Sequence, residues 1–388
     1  MRHLRLVLLL MIFLTSACQS GASAGNTLNS TPVLEFARPS PTITPLLPTS
    51  TPAPTTTATS TPIPPSPSPT RSPTPTEPPV TTLLFTGVIV PARCVQAALD
   101  EKGDPDYPYE EVRDLIQAAD VSVGTFNATM SDQVEHTGCM WTYQLVGSPQ
   151  NADALERAGF DVMSVATNHI KDCGLMKSWC DYTFFDTLDN LHRVGILTVG
   201  GGENLDQALE PVVVTVNGLR FGFVSLGDSK MNEVVFATQD NPGIAYLDEE
   251  NIKSAVKAAR QKADVVIALP HWGSEDIIIP NWWQREQAKW LVETGADLVV
   301  GNHTHVVQAI GEVEGVPVFY GLGNFVFDQG LRDHRQGAIL LVKFKGKQYV
   351  GYELIPTHVD PDGRVHLADR EESAEILERV EQASQMIR

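Results

Sequence analysis

Apolar runs of strand length alternate with stretches of helical spacing over most of the chain. A run at 82–90, broken by one glycine, opens the series, followed by a helix-like stretch at 110–119 and a second strand at 121–126. The couplet then repeats as a helix at 151–158 closed by Gly159, a strand at 161–166, a helix at 184–194 closed by Gly195, and a strand at 196–199. Asn217-Gly218 between the runs 212–216 and 220–225 predicts a hairpin. Beyond it come a helix at 249–261, a strand at 264–269, a helix at 284–293 stopping at Gly295, and a strand at 297–300. Strands at 316–320, 338–344 and 349–356 and a helix at 371–386 finish the pattern. Alternation of this kind predicts a layered α/β sandwich, placed at 81–360 with a helical tail at 361–388.

The first 80 residues do not share this pattern. Arg2 and Arg5 precede an apolar stretch at 6–14 and the small residues Thr15-Ser16-Ala17, which together read as a secretion signal at 1–17. The apolar stretch falls well short of the roughly 20 residues that span a bilayer, so no membrane helix is expected in the mature chain. Cys18 then stands where bacterial lipoproteins carry their acylated cysteine, with Thr15 in the usual leucine position; ordinary secretion with an incidental Cys18 is the alternative. From 18 to 80 the chain is dominated by Pro, Thr and Ser and lacks the apolar residues for a core, which predicts a disordered, stiff linker. The expected location is therefore outside the cytoplasm, lipid-anchored to the outer face of the membrane or the cell surface.

Charge removes one class of partner. With 28 Lys and Arg against 47 Asp and Glu, the formal net charge is −19, and such a surface repels nucleic acid. Four cysteines remain besides Cys18. In an oxidising compartment Cys94, Cys139, Cys173 and Cys180 allow two bridges in three connectivities, and Cys94 with Cys139 and Cys173 with Cys180 is the preferred pairing; a zinc site is the weaker alternative, because no C-x-x-C is present.

Candidate chemistry sits directly after the predicted buried strands. Asn168 and His169 follow 161–166, His271 follows 264–269, and His303 and His305 follow 297–300. Carboxyl ends of parallel strands converge on one rim, so four imidazoles and an amide are expected to share a pocket. Neutral imidazoles and an amide oxygen suit a borderline divalent metal. Each histidine taken alone is more often a hydrogen-bonded core or loop residue; their common position is what argues for a site.

The segments carrying these residues resemble the capsule-synthesis CapA family, a branch of the metallophosphatase-like folds. Residues 166–174 (ATNHIKDCG) are similar to its A-N-N-H-x-x-D-x-G, 271–275 (HWGSE) to H-W-G-x-E, 301–305 (GNHTH) to G-x-H-x-H, and 323–328 (GNFVFD) to G-N-F-x-F-D. What the resemblance implies is a metal held by Asn168, His271 and His303, with His305 contributing to a second, and His169 as the catalytic residue that stabilises the leaving oxygen or donates a proton. Asp172, Glu275 and Asn324 become candidate substrate-binding or supporting residues. Two acidic positions of the family are absent: its G-D is Gly87-Val88, and its N-L-E is Asn127-Ala128-Thr129. One metal ion or none is therefore expected rather than two, with Asp132 and Asp228 as further acids able to compensate. The functions implied are synthesis, export or retention of an extracellular polymer such as poly-γ-glutamate, by a metal-dependent hydrolase or transferase, by a phosphoester hydrolase, or by a degenerate polymer-binding module. The partners implied are that polymer or its synthesis machinery. Arg93, Lys171 and Arg332 are the candidate cations for an anionic ligand, and Trp272, Trp282 and Trp283 the candidate stacking platform.

Overall fold

The longest apolar run becomes β1 (Val80–Ile89), whose alternate side chains serve two different cores. Leu83 and Phe85 point to one and Leu84 and Val88 to the other, which requires packing on both faces of its sheet. The structure, a computed structural model, describes residues 77–176, 178–228 and 233–388. The signal stretch, Cys18 and nearly all of the linker lie outside the described residues.

Parallel to β1 run β2 (Val121–Phe126), then β3 (Val162–Ser164), then β4 (Leu197–Val199). The second sheet contains β5 (Val212–Val216), β6 (Leu219–Gly227), β7 (Val265–His271), β8 (Leu298–Val300), β9 (Ile310–Val313) and β10 (Val316–Phe319), in the order β5-β6-β7-β8-β10-β9. The strands β6, β7, β8 and β10 are mutually parallel. Short β11 (Asn324–Val326) pairs with β1, and β12 (Gln336–Lys345), β13 (Gln348–Val359) and β14 (Val365–Leu367) extend the first sheet antiparallel on that side.

The sheets pack face to face. Leu83, Phe85, Val121 and Val123 from the first meet Phe221, Phe223, Val265 and Ile267 from the second in one core. Helices cover the outer faces: α1 (Cys94–Lys102), α2 (Arg113–Gln117), α3 (Gln150–Ala158) and α4 (Asp181–Arg193) pack on the first sheet, while α6 (Glu249–Lys262) and α7 (Trp282–Thr294) pack on the second, after the short α5 (Leu205–Ala208). The terminal α8 (Arg370–Gln385) buries Ile376 and Val380 against Val307 and Ala338. The expected layered α/β sandwich is what forms. Among the described residues no helix is long and apolar enough to cross a membrane.

Local differences from the sequence reading have physical causes. Helix α1 is not legible in the pattern, because it buries only Val95, Gln96 and Leu99 and so shows little periodicity. The stretch at 110–119 shrinks to the five residues of α2, preceded by a 3-10 turn over Tyr107–Tyr109. Asp181 begins α4 three residues before the apolar spacing does, and Asp248 caps α6 by accepting from the Asn251 amide.

Both preferred disulfides form, Cys94–Cys139 across a sequence separation of 45 and Cys173–Cys180 across 7. Loop-closure entropy ranks them. Replacing Cys94 and Cys139 by Ala is expected to lower the unfolding free energy in urea melts by about 4 kcal/mol, against about 2.5 kcal/mol for Cys173 and Cys180. Equal or reversed losses would contradict this ranking.

Candidate functional site

The rim of the sandwich is polar because the inward-facing residues change character at the strand ends. Where β3 and β6 finish, Ser164 and Ser225 exchange a buried 2.7 Å hydroxyl hydrogen bond in place of an apolar contact. Asn302, just after β8, donates to the Thr86 carbonyl (3.2 Å) and the Thr125 hydroxyl (2.8 Å) of the opposite sheet, and its own oxygen accepts from the Leu322 amide. This amide fastens the loop that carries His303 and His305. Gly301 before it is required by close approach, since a Cβ there would collide with the Trp272 indole and the Tyr320 carbonyl. Both histidines have positive φ, 106° for His303 and 61° for His305, a conformation that non-glycine residues adopt at a cost.

Across the seam between the sheets, Asn168 Oδ1 lies 2.9 Å from His271 Nε2, and His303 Nδ1 lies 3.2 Å from the same nitrogen. His305 points elsewhere. Its Nδ1 lies 2.8 Å from Asn324 Oδ1, and Asn324 uses its amide hydrogens on Gln329 Oε1 and the His334 carbonyl. The Asn324 oxygen must therefore accept, so His305 carries its proton on Nδ1 and keeps the Nε2 lone pair. His169, on the loop after β3, is oriented twice: its backbone amide donates to Asn127 Oδ1 (3.1 Å), and its Nδ1 lies 2.6 Å from Asp172 Oδ2.

Burial keeps the inner imidazoles neutral. Loss of solvent is the main cause, and neighbouring imidazoles add to it: His303 is held down at about 3, His305 at about 4, and His271 well below its ordinary value. Neutral imidazole is the form that ligates a metal. The separations around His271 Nε2 match the roughly 3 Å between neighbouring ligands of one ion bonded at about 2.0–2.2 Å. Among the described residues no group of three or more His, Cys, Asp and Glu is arranged to hold a metal. The set here reaches three donors only by including the amide oxygen of Asn168.

These residues fit one ion through neutral donors, and the two positions where the resemblance called for acids add no ligand. Val88 is buried in the apolar core shared with the helices, and Thr129 spends its hydroxyl on the Leu145 carbonyl. Neither lines the cleft.

That cleft, of about 700 Å³, brings together Asn168, His169, His303 and His305 with Asp172 and Glu275. His271 lies beneath it and Asn324 behind His305. Other candidates are placed differently. Arg93 borders the cleft but is committed to a buried ion pair with Asp328, Lys171 is buried against Asp181 and the Pro242 carbonyl, and Arg332 pairs with Glu375 on the surface. Trp272 is fully buried, stacked on Tyr320 with its indole donating to that residue's carbonyl, so it offers no platform. Trp282 and Trp283 do line the cleft, and so do two aromatic residues the sequence reading passed over, Trp141 and Tyr143, on the loop tied down by Cys139. Asp228 also lines it, with Oδ2 accepting from the Trp283 indole and the Gln287 amide, both 3.0 Å. It is one of the acids the sequence offered as compensating.

The family described as "Bacterial capsule synthesis protein PGA_cap" matches residues 82–329. Among curated proteins, the PGA biosynthesis protein CapA of Bacillus subtilis is 30% identical over 284 residues, covering 72% of each chain. The capsule biosynthesis protein CapA of Bacillus anthracis is 27% identical, covering 72% of this chain and 67% of that one. Among solved structures, the NAD nucleotidase of Haemophilus influenzae aligns with a TM-score of 0.41 at 14% identity over 78% of this chain and 56% of its own, a likeness too loose to decide anything.

The imidazoles carry a pH dependence with a definite sign. In the unfolded chain they take up a proton near pH 6.5, but in the fold His305 does so only near 4 and His303 near 3. Their contribution to stability is therefore intact above about pH 6.5 and is lost as pH falls through that window. His305→Asn is expected to flatten the fall in melting temperature between about pH 6.5 and 4 relative to the parent. An equally steep fall in both proteins contradicts the assignment.

Proposed function

Because the chain belongs to the bacterial capsule synthesis protein family PGA_cap, we propose that it takes part in synthesis, export or retention of a capsule-type polymer such as poly-γ-glutamate. In this reading Cys18 carries the lipid that holds the chain at the outer face of the membrane, and the Pro/Thr/Ser-rich linker lifts the folded part away from it. Convergence of the strand-end residues from both sheets on one cleft is the observation that carries the reading. The cleft is where the polymer is handled.

Asn168, His271 and His303 would hold one divalent ion, which when bound polarises an oxygen of the ligand. The chain's own groups act around it. His169, aligned by Asp172 and partly open to the cleft, moves a proton at its Nε2, and the Nε2 of His305 accepts a hydrogen bond from the ligand or from water. The apolar side chain at Val88 and the committed hydroxyl at Thr129 favour a second reading, a module that binds the polymer without cleaving it.

Two measurements test this. Deleting the gene in the bacterium that encodes it is expected to lower cell-associated capsule polymer, restored by the parent chain and not by Cys18→Ser; unchanged polymer overturns the capsule role. The purified protein is expected to carry close to one divalent ion by elemental mass spectrometry, lost in the pair His271→Ala and His303→Ala. Absence of metal from the parent leaves the binding module.

A further inference from the structure

Among the described residues, the cleft's one cation is already paired. Among the described residues that line it, Arg93 is the one cation, against the carboxylates Asp172, Asp228 and Glu275. Arg93 directs Nε to Asp328 Oδ2 (3.1 Å) and Nη1 to the Thr142 carbonyl (3.1 Å), pairs through Nη2 with Asp328 Oδ1, and is covered by the Trp141 ring at 4.4 Å. A guanidinium held this way has no open edge to offer a carboxylate or phosphate.

The cleft also keeps acceptors that nothing pairs. Asp172 and Asp228 each keep one buried carboxylate oxygen, Oδ1, with no hydrogen-bond partner among the described residues, and His305 keeps the lone pair of Nε2. A buried acceptor left unpaired costs free energy, so the fitting ligand brings O–H or N–H groups. A polyanion brings mainly more acceptors and more negative charge.

The walls supply the other half of the recognition. Trp141 is 74% exposed, Trp282 69% and Tyr143 47%, and all three border the cleft. Large aromatic faces left open beside polar groups in a groove mark a binding surface for a ring with an apolar face and a hydroxylated edge.

We infer that the cleft binds a glycan, an uncharged and hydroxyl-rich sugar chain, rather than a polyanion such as poly-γ-glutamate. The inference rests on the second reading, a polymer-binding cleft that holds no ion, and specifies the class of polymer. The aromatic rings pack against sugar faces while Asp172, Asp228 and His305 accept hydrogen bonds from hydroxyl or amide groups.

The test uses the full chain, without its signal, titrated calorimetrically with chitohexaose and separately with a γ-linked glutamate decamer. Chitohexaose is expected to bind, with affinity nearly unchanged between about 0.05 and 0.5 M salt because the ligand carries no charge. Trp282→Ala, at an exposed position, and Trp141→Phe, which keeps an aromatic ring over Arg93 but a smaller face toward the cleft, are each expected to weaken it, Trp282→Ala about tenfold or more. Asp228→Asn is expected to weaken it as well, since the Asn can keep its oxygen on Trp283 and Gln287 and present an amide where an acceptor is needed. Salt-sensitive binding of the glutamate decamer in the same cleft, lost in the tryptophan variants, with no binding of the sugar, overturns the glycan assignment and leaves the capsule-polymer reading standing. Binding of neither probe overturns both, and sugar binding unaffected by the tryptophan and Asp228 variants overturns the assignment to this cleft.

Discussion

Everything at the site depends on the two sheets closing against each other with their parallel strands ending on the same rim. The apolar seam of Leu83, Phe85, Val121, Phe221, Phe223 and Ile267 supplies the driving force, and it is indifferent to register. Register comes from the polar contacts at its edge. The Asn302 amide reaches Thr86 and Thr125 on the opposite sheet, and Asn168 meets His271 across the same boundary. Each is buried, so a shift of the sheets would leave unpaired polar groups, a penalty of about 1–3 kcal/mol apiece. The hydrogen bonds that set the alignment are next to those that set the site.

This arrangement explains which parts could be read from the chain. Strand and helix order was visible because most elements serve a single apolar face or two, as in β7, where Val265 and Ile267 face one core and Val266 and Ala268 the other. Placement of Asn168, His169, His271, His303 and His305 followed from one rule about strand ends. Contacts that depend on where distant loops return were not visible. Arg93 and Asp328 lie 235 residues apart, and their ion pair is created by β1 and β11 lying side by side. Trp272 looked available in the sequence because it follows His271, yet alternation along the strand end turns it inward while His271 turns to the seam.

The aromatic wall was hidden for a related reason. Residues 131–145 have no regular apolar spacing, so nothing in their pattern places Trp141 or Tyr143. Cys139 does so covalently, by fixing the loop to the first residue of α1, one position beyond Arg93. The disulfide, the Arg93–Asp328 pair and the Trp141 ring over the guanidinium form one continuous support beneath that side of the cleft. Removing the charge of Arg93 from circulation is a consequence of using it as this support.

Electrostatics decides how far the old metal chemistry can survive such a change. Two dications about 4 Å apart repel by roughly 16 kcal/mol at an effective dielectric of about 20, and carboxylates between them are what offsets that repulsion. Val88 faces an apolar core and Thr129 is neutral, so the offset is gone from both positions. A single ion meets no such barrier: two further neutral donors already stand at ligand spacing from His271 Nε2, and burial keeps the imidazoles unprotonated. Without that ion, a cleft whose described cation is paired and whose aromatic faces are open is better matched to hydroxyls than to a chain of carboxylates.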